Sequence, residues 1–506
     1  MLKNEDGMSV VIVFGIMILL GLLAFALVNR TVGERQITTY LVRYEIAFSA
    51  AEGGLEKALL ELKRDFADNT TPSWADSFIN DIRVGPDSIY DTLYNTTSLG
   101  DGGYFVELKN VPDGLGGFLA DEIWVKSTGI ADGGVKRVIE AYVEVENLSP
   151  WDNVISAGKG SADAVIKGNA LICGSVHVLG EGLTPFDEAI EMSGGAGIRN
   201  YYDGMEAALL YRIPPLPTTI FNGEEVQTLE ATLRVKHGRV NLSGTGTVGK
   251  PDILGNDYKE TIDGVYVTDG YGGTAGVGNI YSDNGTESAY DLEDIVQFPR
   301  LDDPYTEPKT GTDYSSYQEY LKSIAYVVTD AAELTVLSNI TPNSTFTIGD
   351  ATNYISMDSA TLAINGVIYI DNGGDLNMNI AETKKTITYT GKGDILVTGN
   401  VNINVNLLTP YSPNSFPTNI LGVMTPNNIT FNAANINVMG VFLGEDRITV
   451  KKQTDFVGSI VSNYLDLQQT PHIYQVPVLA TNLSPNMIAG GPVWVIGVRT
   501  WRELKG

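Results

Sequence analysis

The chain opens on a long uncharged stretch. From Met8 to Val28 no residue carries a charge, and only Ser9, Gly15 and Gly21 interrupt the apolar side chains. About 20 such residues cross a bilayer as a helix. The run exceeds the ~7–15-residue apolar core of a secretory signal peptide. Beyond it, apolar residues recur at Ile37, Leu41, Tyr44, Phe48, Ala51, Leu55, Ala58 and Leu62, in alternating steps of four and three. These positions form one stripe on a helix. Glu34, Arg35, Arg43, Glu45, Glu56, Lys57 and Glu61 occupy the other faces, and no proline occurs between Met8 and Arg64. The pattern predicts one continuous spine helix over 8–65, greasy at first and amphipathic later.

The period then changes. Residues 66–103 carry Pro72, Pro86 and several Gly and Asp, and read as loop with short elements. Alternation predicts strands over Tyr104–Leu108, Ile123–Ser127 and Lys136–Val145, with a turn at Ala131-Asp-Gly-Gly134. An antiparallel sheet packed on the helix follows for 66–150. From Trp151 a different unit recurs: Gly, a few apolar residues, a polar turn, then alternating positions. Gly168 begins one such unit, and Gly366, Gly393, Gly422, Gly440 and Gly458 begin others, 27, 29, 18 and 18 residues apart. So short a unit cannot bury its own apolar face, so neighbours must stack. A parallel β-solenoid is predicted, with Ile403, Val405, Phe431, Val441, Ile448 and Ile460 pointing inward. Its first rungs fall at 151–180, an insertion or irregular rungs at 181–355, and the remaining solenoid with the C-terminal segment at 356–506. The fold class is α+β followed by all-β.

Charge narrows the partners. Of 506 residues, 61 are acidic and 33 basic, a formal charge of −28. Such a chain repels phosphate backbones, and no nucleic-acid partner is expected. The single cysteine, Cys173, permits no internal disulfide, and His177, His237 and His472 are too far apart in sequence for a histidine metal motif. Candidate chemistry is sparse. Gly244-Thr-Gly-Thr-Val-Gly-Lys250 matches most of a phosphate-binding loop, but Pro251 stands where a hydroxyl is needed for Mg²⁺, and a turn is the better reading. Asp283, Asp291, Glu293, Asp294, Asp302 and Asp303 supply oxygens that suit Ca²⁺, without EF-hand spacing; a solvated acidic loop is the favoured reading. Glu445-Asp446-Arg447 is the charged trio nearest to a glycan-cleaving set, and it reads as a surface turn. Tyr201-Tyr202 and Tyr314 to Tyr320 either bind sugars or surfaces or pack under loops. No catalytic residue, cofactor or metal is assigned.

Two segments carry a family resemblance. The start, a short polar leader (residues 1–7) ending in Gly7 directly before Met8 and the apolar run, resembles a prepilin leader. Ala47-Phe-Ser-Ala-Ala-Glu-Gly-Gly-Leu-Glu-Lys-Ala58 resembles the N-terminal signature of PilX-type minor pilins, with Phe48, Ala50, Ala51, Glu52, Gly54 and Leu55 at the matching positions. The chain from Trp151 onward is similar to the β-helical domain joined to such N-termini, notably at Phe298-Pro-Arg-Leu-Asp-Asp-Pro-Tyr305 and Gly497-Val-Arg-Thr-Trp-Arg-Glu503. The resemblance implies cleavage after Gly7 by a prepilin peptidase, methylation of Met8, and packing of the helix among other pilins. It makes 66–150 a pilin-like β head. Major pilins carry Glu at the fifth mature position; here that position is Ile12.

The expectation is a minor pilin-like, non-enzymatic subunit of a type IV pilus or related secretion filament. It would sit in the inner membrane as a single-pass protein before assembly, and afterwards outside the cell near the tip, contacting a surface or glycan. A membrane-anchored β-helix enzyme acting on polysaccharide, or a stalked envelope protein, is the alternative.

Overall fold

A computed structural model describes residues 6–68, 89–112, 118–159, 170–221, 223–290, 296–307, 310–381, 385–488 and 494–504. The chain forms two units, Met1–Asn147 with Trp494–Gly506, and Leu148–Val493.

The first unit is built on helix α1 (Asp6–Asp68). Four strands follow: β1 (Asp91–Leu99), β2 (Gly102–Pro112), β3 (Phe118–Ala131) and β4 (Val135–Asn147). They pair antiparallel in sequence order, and β3 turns into β4 at Gly133 and Gly134, whose φ angles of 78° and 77° favour glycine. The fifth strand is Trp494–Leu504, which pairs antiparallel with β4 from Trp494 opposite Asn147 to Leu504 opposite Val138. Two expectations are corrected here. The segment read as loop with short elements contains the nine-residue edge strand β1, whose Thr, Asn and Ser content hides its alternation. The C-terminal strand leaves the stretch 356–506 and joins the first sheet, an alignment set by a partner more than 300 residues away.

Alternation decides which side of this sheet meets the helix. Tyr104, Val106 and Leu108, Ile123 and Val125, and Ala141 and Val143 form one core with Ala58 and Leu62 of α1. The helix buries Ala47, Ala50, Ala51, Ala58 and Leu62, whereas Ile37 and Leu41 of the expected stripe are exposed. Coverage ends near Arg43, which abuts the β3–β4 turn at Gly133.

Among the described residues, the second unit contains a 20-stranded sheet. It is mixed: Phe346–Gly349, Tyr354–Asp358 and Thr361–Ile370 pair antiparallel, and its other ladders among the described residues are parallel. Paired residues line up in apolar columns. One runs through Ile368, Ile395, Val423, Phe442, Ile460, Ile155, Val176, Leu233 and Val265. A second runs through Ile387, Leu407, Val438, Phe456, Ile473, Ile172, Ile198 and Val248. A third joins Met378, Ile403, Phe431, Val450 and Leu467. All of these side chains are buried, and Phe431, Phe442 and Phe456 meet edge to face with centroids 5.2–5.9 Å apart. Of the six residues expected inward, Val441 departs: Phe442 pairs with Ile460, and Val441 is buried on the opposite side, opposite Ser459.

Chain order and spatial order differ. Ile155–Ala157 lies mid-sheet, between Val176–Val178 and the strand Thr454–Leu467. From there the chain adds strands outward to Gly264–Val267, which lie in the stretch left open as insertion or irregular rungs. It then resumes at Thr361–Ile370 and returns strand by strand to Thr454–Leu467, closing on Ile155–Ala157. The glycine spacing follows the strand pairing: Gly366 pairs with Gly393 and Gly440 with Gly458, while Gly422 is offset by one, opposite Asp394.

Two substitutions test this packing. Gly129→Val sets a side chain against the Ala47 carbonyl and should destabilise the first unit by about 2–3 kcal/mol. Phe442→Ala should cost the second about 3–5 kcal/mol through lost burial and a cavity. Calorimetry with two resolved transitions, each lowered by one variant only, is the expected result.

Candidate functional site

The stretch of α1 from Val10 to Val28 has no water-compatible face. The helix's apolar side chains from Val10 to Val42 are exposed, Phe14, Leu22 and Phe25 each by more than 60%. A helix apolar on every side requires a membrane or other protein around it. The uncharged run covers roughly 30 Å at 1.5 Å per residue, the thickness of a bilayer core. Among the described residues it is the one helix long and apolar enough to cross a membrane. Gly7 and Met8 lie in the first turn of α1.

The signature residues lie where helix and sheet backbones nearly touch. A side chain on Gly129 would strike Ala47 and Ala51, and one on Gly54 would strike Ser127 and Tyr104. Ala50, Ala51 and Gly54 are therefore small for steric reasons. Phe48 and Leu55 are half-buried beside them, and Glu52 is exposed. Sequence reasoning missed the partner half of this contact, since Gly129 looks like any strand glycine.

Polar clasps hold the C-terminal strand. The Tyr44 hydroxyl donates to Glu503 Oε1 (3.3 Å), and Arg137 pairs with Glu503 while its guanidinium lies 3.7 Å from the Tyr44 ring centroid. Buried Glu140 accepts from Tyr90 and from Arg502 Nε (2.7 Å). Burial pushes its carboxyl up, but these hydrogen bonds prevail and hold it below the usual range.

In the second unit, segment 296–303 crosses the line where the first and last strands meet. Phe298 lies against Gly158, Arg300 pairs with Glu181 (3.1 Å), and the Leu301 amide donates to Glu445. Burial pushes Glu445 up to about 7. Beside this strap is a cleft of about 530 Å³ lined by Glu181, Lys236, His237, Phe298, Arg300 and Asp303. Buried Asp394 accepts from the Ser484 hydroxyl and the Asn486 amide (3.1 Å), and desolvation raises it to about 6. His472 Nδ1 lies 3.0 Å from Asp455, whose hydrogen bond raises the imidazole above its ordinary value. His177 is buried against the Tyr290 hydroxyl (3.0 Å), and burial pushes it down to about 3.

The remaining sequence candidates have structural partners. Lys250 bonds Tyr201 and Asp203, both at 3.0 Å, and no helix follows it before Glu260. Asp283 is held by Lys259 (2.5 Å) and Thr261. The Asp303 carbonyl accepts from the Tyr317 amide, and Asp302 lies beside Glu445. Asp291, Glu293 and Asp294 lie outside the described residues. No group of three or more His, Cys, Asp or Glu forms a metal site among the described residues. Tyr201 stacks on Tyr258 at 3.9 Å, and Tyr305, Tyr314, Tyr317 and Tyr320 pack on one another. Glu445 is half-buried, whereas Asp446 and Arg447 are exposed.

Asp394, Glu445 and His472 are all raised, so the folded chain holds more protons than the unfolded chain between the two sets of values. Their contributions are fully present below the unfolded values and are lost as pH rises through the folded ones. Buried His177, pushed down to about 3, acts in the opposite sense between its two values, but the three raised groups together outweigh it, so the melting temperature of the second unit should fall from pH 5 to pH 8, and the double variant Asp394→Asn, Glu445→Gln should fall less or rise. A wild-type melting temperature that rises over this interval contradicts the assignment.

No protein-family model and no curated protein matches the chain. Among solved structures it is similar to the competence-associated pilin ComZ from Thermus thermophilus, at 20% identity and a TM-score of 0.53, over 91% of this chain and 97% of that one. At this identity the likeness is one of fold. A long N-terminal apolar helix followed by a large β-rich domain is a pilin-like fold, and this chain has it.

Proposed function

We propose that the chain is a minor pilin-like subunit of a type IV pilus or a related secretion filament. The carrying observation is a helix whose opening stretch, to Val28, is apolar on all sides and uncovered, in a pilin-like fold. The inner membrane surrounds that stretch before assembly, as the chain's single span, and other pilins surround it afterwards. A prepilin peptidase cuts after Gly7 and Met8 becomes the new terminus. The role is structural and adhesive, not catalytic.

The second unit serves as a β-solenoid head. Its long runs of parallel pairing and buried columns support this reading, with the antiparallel strands 346–370 set at one end. Ile12 stands where a docking carboxylate sits in major pilins, so the subunit lacks the charge that draws a new subunit beneath an earlier amine. A head with most of the chain's acidic surface also repels copies of itself at fibre spacing. The tip of a filament, in few copies, fits both features.

Intact-mass measurement on filament-associated protein tests the reading. The expected mass begins at Met8, and Gly7→Val should leave the full-length form in the membrane. Filament-associated protein that keeps residues 1–7 would overturn it.

A further inference from the structure

Unit two's outer sides differ in chemistry. Outside the first column lie Leu396, Met424, Val441, Leu443 and Val461, all buried, with Ser484 and Met487 over Gly422. Outside the second lie Met439, Val457, Tyr474 and Cys173, also buried; Tyr202 bonds across to the Gln475 carbonyl and Arg212 to that of Thr409. Outside the third column the residues are polar. Asn377, Asn402, Thr430, Thr449 and Asp466 stand opposite one another on successive strands. All but Thr449 keep solvent exposure. Next to them run Asn400, Asn428, Arg447 and Tyr464, with Arg447 exposed and 5.7 Å from the Tyr464 ring centroid.

This array is held in place by its own bonds. Asn402 Nδ2 donates to Asn377 Oδ1 (2.7 Å), Asn377 Nδ2 to the Ser338 carbonyl (2.9 Å), and Asn428 Nδ2 to Asn400 Oδ1 (3.4 Å). Amides fixed in this way leave lone pairs and N–H groups facing outward at a rung spacing of about 4.8 Å. Ordering them on binding costs little side-chain entropy. Sugar hydroxyls donate and accept at similar intervals along an extended β-linked chain. A net charge of −28 disfavours polyanions, so an uncharged polymer is the better fit.

We propose that this polar face binds an uncharged, extended β-linked polysaccharide lying across the rungs, along the line of stacked polar side chains, with Arg447 and Tyr464 as its edge. This names a ligand class for the surface-contact role proposed above and rests on that role only for its biological use; the binding test reads the face directly, so its failure leaves processing at Gly7 untouched.

The probes are insoluble cellulose and chitin, co-sedimented with full-length protein in detergent micelles. Wild type should sediment with at least one polymer and stay in solution without it. Asn402→Lys with Thr430→Lys should weaken binding at least tenfold, as should Arg447→Ala with Tyr464→Ala, which alters only the edge. Leu254→Lys, at an exposed site elsewhere, should bind as wild type, and melting curves should match throughout. Wild type that sediments with neither polymer, or equally without polymer, overturns the proposal. So does undiminished binding by the edge variant.

Discussion

The second unit depends on one pairing between distant segments: the strand Thr454–Leu467 lies parallel to Ile155–Ala157, with Ile460 opposite Ile155. Apolar columns on either side of that line are continuous only because it closes. The closure also brings the start and end of the unit together, where Trp151 Nε1 donates to the Ile488 carbonyl at 2.7 Å. A chain that leaves where it began can return to the sheet it left, and Trp494–Leu504 does so beside β4. The second unit is thus inserted between two adjacent strands of the first. Contacts separated by 300 residues make closure entropically slow, and the strap from Phe298 to Leu301 reinforces the same line.

Local patterns were legible in the sequence. The uncharged run, the 3.6-residue stripe and the alternation of β3 and β4 specify their own elements, because each depends on residues a few positions apart. The glycine spacing anticipated part of the strand pairing, since Gly366 faces Gly393 and Gly440 faces Gly458. Register within a rung was less legible: Gly422 is offset by one, which turns Phe442 inward and Val441 outward. The closing pair, the returning C-terminal strand and the Gly129–Ala47 approach each join segments with no local mark of their partner. The exposure of Ile37 and Leu41 has the same cause, for the stripe continues past the end of the sheet that covers it.

These constraints give the two halves of the molecule different solvents. The opening stretch of α1, to Val28, needs lipid or other helices, and the second unit is acidic and covers its apolar outer sides with its own segments. Small residues at Ala47, Ala51 and Gly54 let the helix backbone sit on the sheet, so one continuous helix is both a candidate membrane segment and a core element. In the proposed pilin-like role, Ile12 stands where major pilins carry a carboxylate, and the term that would favour repeated addition is absent.

Immunogold labelling of sheared filaments, with antibody to the second unit, tests this account most directly. It predicts a few gold particles confined to one end of each filament. Uniform decoration along the shaft would contradict it.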